Sequence, residues 1–124
     1  MSRTLRTIFL AHAIVSLVLG LPMLLFPGRF LTWFGWAPID PIISRLLGAA
    51  LLALAWSSFR GWRADDKARV ALLLELEAVY TVLGCVGLLR HLLFARYPFT
   101  PWLIFVIMAI FAVAWVASLL GLVK

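Results

Sequence analysis

Two glutamates and a histidine stand inside long apolar stretches of this sequence, where ionisable side chains are rare and mark either a partner or a function. Glu75 and Glu77 lie in the third of four such stretches, and His12 lies in the first. Measured along a helix, Glu77 is about 12 Å from Arg69. His12 has a similar depth below Arg6 on its own helix. We therefore expect Glu77 and His12 to share one layer of a helical bundle.

Hydroxyl side chains extend this layer. Successive residues of a helix rotate by about 100°, so the two glutamates point about 160° apart and cannot both face a bundle interior. Glu77 shares its face with Tyr80, Ser16 lies one turn from His12, and antiparallel register places Ser57 opposite. We predict an inward-facing polar site made of His12, Ser16, Glu77 and Tyr80, which binds a proton or a small polar headgroup. A buried pair that only fixes helix register remains equally open.

Glu75 lies on the opposite face of the same stretch. It shares that face with Val79, Val82 and Val86, which we expect to meet lipid or another protein. A carboxylate that faces lipid is costly unless it is protonated, reaches the membrane interface or meets a partner. Glu75 is therefore a candidate contact for another membrane subunit that offers a Lys, an Arg or a hydrogen-bond donor.

Motifs for catalysis and cofactor binding are missing from the sequence. A metal site needs three or four converging ligands, whereas the chain has two distant histidines and one cysteine, Cys85. Haem needs a well-placed axial histidine, and His12 is the one deep candidate. There is no phosphate-binding glycine loop, nucleophile elbow or zinc-protease motif. We therefore predict no metal site and no catalytic residue, and the sequence does not identify a cofactor. An enzyme that uses His12 and Glu77 as general acid and base is the least favoured of the possible functions.

The composition places the whole chain in a membrane. Of 124 residues, 65% are hydrophobic and 13% charged, which is too apolar for a water-soluble domain. Four stretches have the roughly 20 residues that cross a hydrocarbon core of about 30 Å. They span about residues 5–26, 41–60, 68–94 and 101–123. We predict a single domain over residues 1–124, an all-α membrane protein built as an antiparallel bundle of four transmembrane helices.

The segment between the first two stretches, residues 27–41, is too short to span a membrane. It is bounded by proline and glycine and carries several aromatic side chains, which prefer the headgroup level. We predict a short interfacial segment with room for a small helix. The aromatic residues of segment 30–36, which include Trp36, are expected to form one aromatic belt on this side together with Tyr97, Phe99 and Trp102.

The basic residues flank the apolar stretches and divide unequally between their two ends. Seven stand on one side and four on the other. The larger group is Arg3, Arg6, Arg60, Arg63, Lys67, Arg69 and Lys124. Because cytoplasmic loops are enriched in Lys and Arg, we expect both termini on the cytoplasmic side of a multi-pass protein of the bacterial inner membrane.

The smaller basic group supplies candidates for contact with lipid headgroups. Arg45, Arg90 and Arg96 lie within reach of the opposite membrane surface. Hairpin register also brings Arg90 near Asp40. The net charge of +6 is not accompanied by an RNA-binding signature or a stacking platform, so we expect no nucleic-acid partner.

Three stretches of the sequence carry a resemblance to a known group. They are the nonapeptide from Gly20 to Gly28 (GLPMLLFPG), the octapeptide from Ile43 to Ala50 (ISRLLGAA) and the glutamate-bearing third stretch. Together they resemble small bacterial four-helix membrane proteins of the DoxX-like kind. Most members of such groups have no known activity, and some are implied to be accessory subunits of membrane redox systems. The resemblance therefore favours a subunit and implies no functional residue.

Two functions from different classes follow from these patterns. The first is a non-catalytic subunit or assembly partner of a larger membrane complex, in contact with the lipid bilayer and with other subunits or copies of itself. The alternative is a small transporter or binder of a lipid-like, quinone or protonatable ligand at the layer of His12 and Glu77.

Overall fold

Five helices form the described part of the protein. The computed structural model describes residues 2–35, 40–94 and 99–122. The helices are α1 (Arg3–Leu25), α2 (Pro27–Trp33), α3 (Pro41–Arg63), α4 (Lys67–Phe94) and α5 (Phe99–Leu119). All except α2 are long and apolar enough to cross a membrane. The predicted all-α bundle of four spanning helices is confirmed, and the protein is a multi-pass membrane protein.

The helices begin where the sequence offers a cap. The Ser2 hydroxyl accepts the amide N–H of Leu5 at 3.2 Å, which starts α1. The Asp40 carboxylate accepts the amides of Ile42 and Ile43 at 2.8 and 3.2 Å, which starts α3. Asp40 therefore caps its own helix, and among the described residues it forms no ion pair with Arg90.

Two helix ends differ from the predicted bounds for identifiable reasons. α5 stops at Leu119 because Gly121 takes a left-handed conformation with φ +74°. The amide of Leu122 then donates to the carbonyl of Ala117 at 2.9 Å, which is the closing bond of a Schellman motif. α3 continues to Arg63, so the connection to α4 has only three residues, 64–66.

The short helix α2 occupies the predicted interfacial segment. Pro27 stands in its first turn, where the missing N–H is harmless, and the helix ends after seven residues. Trp33 is exposed beside it, and Trp102 is partly exposed at the start of α5. Trp36 and Tyr97 of the predicted aromatic belt lie outside the described residues.

The four long helices pack as two close pairs, α1 with α3 and α4 with α5. Helices approach closely in lipid where small residues meet, and α1 and α3 do so at two glycines. A Cβ on Gly48 would lie 2.5 Å from the backbone nitrogen of Leu24, and one on Gly20 would lie 3.1 Å from the Cβ of Leu51. Gly87, by contrast, faces open space.

Large side chains fill the seam between the two pairs. Phe9 and Trp115 are both fully buried, and their ring centroids are 4.8 Å apart. Around them lie Val70, Leu74 and neighbouring small residues, which form a hydrophobic core toward one end of the bundle. The other sides of the long helices expose many large apolar side chains, as expected when lipid is the outer solvent.

The end of the bundle next to this core is held by Arg6. One of its guanidinium nitrogens pairs with the Asp65 carboxylate, and the other donates to the carbonyl oxygen of Trp62 at 3.4 Å. Both side chains of the ion pair are open to solvent. These contacts attach the start of α1 to the turn between α3 and α4.

Candidate functional site

A chain of hydrogen bonds joins three helices at the centre of the seam. His12 comes from α1, Ser58 from α3 and Glu77 from α4, and all three are buried. The Ser58 hydroxyl lies 2.8 Å from Nδ1 of His12 and 2.7 Å from Oε1 of Glu77. Because few other close contacts join the two helix pairs, this cluster is the main polar connection between them.

The direction of these bonds follows from the single hydrogen of a hydroxyl. If Ser58 donates to the Glu77 carboxylate, its oxygen can only accept from His12, which then carries a proton on Nδ1. If instead the Glu77 carboxyl carries a proton and donates it, Ser58 donates to a bare Nδ1. The cluster can therefore exist in two forms that differ in the direction of both hydrogen bonds.

Some polar atoms of this layer stay without a partner. Oε2 of Glu77 lies 3.3 Å from Nδ1 of His12 but makes no hydrogen bond there. The Ser57 hydroxyl faces the same carboxyl group and is likewise unpaired, as is the indole nitrogen of Trp115. Buried polar atoms without partners are uncommon, so this layer is polar beyond what packing of the helices requires.

Aromatic rings enclose the imidazole from the side of α5. The His12 ring meets Phe111 edge-on with centroids 4.6 Å apart, and it meets Trp115 edge-on at 5.5 Å. These rings fix the plane of the imidazole, so Nδ1 stays directed at Ser58. Phe9, one turn before His12 on α1, packs against Trp115, and its ring lies where a side chain on Gly61 would stand.

A small cavity adjoins His12 on the side away from Phe9. Its volume is about 40 Å³, and its polar lining comes from His12, Ser16, Tyr80 and Thr81. A water molecule needs only about 10–15 Å³ of such space together with polar partners, so the cavity can hold water. Neither Ser58 nor Glu77 lines it, which makes His12 the member of the cluster that faces the cavity.

The structure brings the predicted polar residues together, but only in part as expected. His12 and Glu77 are in contact across the seam. Ser16 and Tyr80 line the cavity and, among the described residues, make no side-chain hydrogen bond to either of them. Ser58 is not among the residues predicted for this site, because antiparallel register places its neighbour Ser57 at this level. Whether these residues bind a ligand or a proton stays a prediction.

Glu75 lies on the outer surface of α4, as predicted from the rotation of the helix. Its side chain is exposed, and within the part of the chain that the structure describes it makes no hydrogen bond or ion pair. Leu72 and Val79, one turn away on either side, are 67% and 57% exposed, so the carboxylate stands in an apolar surface.

The candidate headgroup residues occupy different places. Arg45 lies with Arg29 and Trp33 along an open groove of about 380 Å³ at the ends of α1, α2 and α3. Arg90 is exposed on α4 and does not line this groove. Arg96 lies outside the described residues. Contact of these arginines with lipid headgroups stays a prediction.

Metal binding finds no support in the described ranges, where no three His, Cys, Asp or Glu side chains come close enough together to hold an ion. Comparison with known proteins adds no relative from which a role could be transferred to His12, Ser58 or Glu77. No protein-family model matches the chain, and neither a curated protein nor a solved structure matches it.

Proposed function

We propose that this protein is a non-catalytic integral membrane subunit that binds another membrane helix through the face of α4 that carries Glu75. The observation that supports this function is an exposed carboxylate, without a partner in the described residues, in an apolar surface at membrane depth. Ionisable side chains at such depth are otherwise directed to the interior of a bundle or paired.

The depth of Glu75 follows from the charged residues that bracket α4. Arg69 and Arg90 are 21 positions apart, which corresponds to about 31 Å and matches a hydrocarbon core of about 30 Å. Glu75 is six positions inside Arg69, or about 9 Å from that boundary. A glutamate side chain is too short to bring its charge back to the headgroups from there.

The surface around Glu75 defines the chemistry of the partner. Leu72, Val79 and Val86 present an exposed apolar strip along α4. A partner helix that fits this strip needs apolar or small residues along its length and one Lys, Arg or hydroxyl donor at the level of Glu75. Such a donor satisfies the carboxylate, and the strip supplies the packing that drives association of helices in lipid.

The arrangement of the chain agrees with a role in assembly. The connections between the spanning helices are short, so little of the protein lies outside the membrane. The resemblance to DoxX-like proteins points in the same direction, toward an accessory subunit of a membrane redox system. We place both termini on the cytoplasmic side of a bacterial inner membrane, on the basis of the seven basic residues at that end.

The alternative, a binder of quinone or lipid at the polar layer, receives less support from the geometry. Pockets for small organic ligands have volumes of roughly 300–1,000 Å³. The cavity beside His12 has about 40 Å³, enough for water but not for a quinone ring.

Purification in a mild detergent followed by mass measurement of the intact assembly tests the proposal. We expect a stoichiometric partner chain, or a second copy of this chain, to be present with the wild type and with Val113→Ala. Val113 is an exposed apolar residue on α5 and serves as the control. Glu75→Ala should lose the partner, and an unchanged assembly in that variant would contradict the proposal.

A further inference from the structure

His12, Ser58 and Glu77 follow one another from the cavity into the interior of the bundle, an arrangement that a purely structural contact does not require. The cavity is lined by His12, the hydroxyl of Ser58 stands between the other two, and Glu77 lies behind both. Glu77 and Ser58 are fully buried, so contact with water in the cavity runs through the imidazole.

We propose that His12 takes up a proton from the cavity and that Ser58 transfers a proton onward to Glu77, so that the cluster binds one proton from one side of the bundle. This inference does not depend on Glu75 or on a partner subunit. Its ligand is a proton carried by water, which a cavity of this size and polar lining can hold.

The transfer balances without any further reactant. At the start, His12 carries a proton on Nδ1, and Glu77 is ionised. A proton from water in the cavity forms the Nε2–H bond while the Nδ1–H bond breaks. That hydrogen passes to the Ser58 oxygen, whose own hydrogen passes to Oε1 of Glu77. At the end, His12 is neutral with its proton on Nε2, Ser58 is unchanged, and Glu77 is a neutral acid.

Ser58 is the necessary link because the direct path is poor. Oε2 of Glu77 lies 3.3 Å from Nδ1 of His12 and makes no hydrogen bond, whereas both contacts through the hydroxyl are 2.8 Å or shorter. A hydroxyl can donate and accept at once, so it can reverse both bonds as the proton moves.

The cluster is closed on the other side. Phe9 and Trp115, both fully buried, stand between it and the end of the bundle that carries Arg6 and Asp65. Among the described residues, Tyr80 is the one further titratable group that faces the cluster, from the wall of the cavity. The described part of α5 contains no ionisable residue. The geometry therefore describes a site that stores a proton rather than a path that conducts one across the membrane.

The position of the proton on His12 tests this inference directly. The chain has only two histidines, so a His91→Gln background leaves His12 as the single histidine signal. The full chain, labelled with ¹⁵N-histidine and placed in lipid nanodiscs, is followed by NMR from about pH 9 to about pH 5, a range that brackets an ordinary imidazole. As the pH falls, we expect the Nδ1–H form of His12 to convert into the neutral Nε2–H form. Over the same pH range an infrared band of a protonated carboxyl group should appear, and this band should be missing in Glu77→Gln.

Variants of the two neighbouring serines provide a matched comparison. Ser58→Ala and Glu77→Gln should abolish the exchange between neutral forms, and His12 should then convert directly into the doubly protonated imidazolium. Ser57→Ala leaves both hydrogen bonds of Ser58 in place and should therefore retain the exchange. Ser58→Thr keeps the hydroxyl and should retain the exchange, which separates loss of the link from loss of folding. The inference is overturned if Ser58→Ala exchanges like the wild type, or if wild-type His12 passes straight to the imidazolium.

Discussion

Nδ1 of His12 and Oε2 of Glu77 lie 3.3 Å apart across the seam between the two helix pairs, yet the hydrogen bonds of both residues run through Ser58 instead. The two ionisable residues thus depend on a serine from a third helix. Removing that serine leaves a buried imidazole and a buried carboxyl without their partner, which makes Ser58 the most informative position to change.

Ser58→Ala should destabilise the protein by about 1–2 kcal/mol, because it leaves two buried polar groups unsatisfied. The measurement is the free energy of unfolding in mixed micelles. Ser57→Ala, one position away, should cost less than Ser58→Ala, because the Ser57 hydroxyl faces the Glu77 carboxyl group but does not bridge two residues. Equal losses for the two serines would show that the bridge contributes nothing particular.

Gly48→Ala should separate α1 from α3. The added methyl group would lie 2.5 Å from the backbone nitrogen of Leu24, and a backbone atom cannot move aside as a side chain can. We expect a loss of about 2 kcal/mol, typical of overpacking. Gly87→Ala is the matched control on α4, where the methyl group meets open space, and it should be neutral or slightly stabilising. A neutral Gly48→Ala would contradict the close approach of these helices.

The ion pair of Arg6 with Asp65 should contribute little, although it is the closest charged contact in the described chain. The Asp65 side chain is 84% exposed, and exposed pairs contribute about 1 kcal/mol at most. Asp65→Asn should therefore lower the free energy of unfolding by less than Ser58→Ala does. A larger effect at Asp65 would mean that the turn between α3 and α4 is more important to folding than the buried layer.

Gly28 and Asp65 lie at opposite ends of the bundle and should be labelled from opposite sides of the membrane. Both are exposed, and a side chain at Gly28 meets open space. In a Cys85→Ala background, a membrane-impermeant thiol reagent added outside intact cells should label Gly28→Cys and spare Asp65→Cys. Labelling of Asp65→Cys alone would reverse the proposed orientation, and labelling of both from one side would contradict the transmembrane arrangement.

The architecture was predictable because its causes are local. Four long apolar stretches separated by short connections leave few arrangements other than an antiparallel bundle in lipid. The contact of His12 with Glu77 followed for a similar reason, since depth along a helix can be counted from the flanking arginines. The outward direction of Glu75 followed from the rotation of one helix.

Ser58 was not predictable in the same way. Which of two adjacent serines faces the seam depends on how α3 is rotated, and one residue corresponds to about 100° of rotation. Contacts with α1, among them Gly48 against Leu24, fix that rotation. The small residues Ser44, Gly48 and Ala55 mark the same buried face, and Ser58, three positions after Ala55, lies closer to it than Ser57 does.

A double-mutant cycle between Ser58 and Glu77 tests most directly whether this bridge holds the two helix pairs together. The free energy of unfolding is measured for Ser58→Ala, Glu77→Met and the double variant, and the cycle is repeated with Ser57→Ala in place of Ser58→Ala. We expect a coupling of about 1 kcal/mol for Ser58 with Glu77 and a smaller value for Ser57 with Glu77, because the Ser57 hydroxyl faces the carboxyl group without forming a hydrogen bond to it. No coupling in the first cycle, or equal coupling in both, would contradict the bridged cluster.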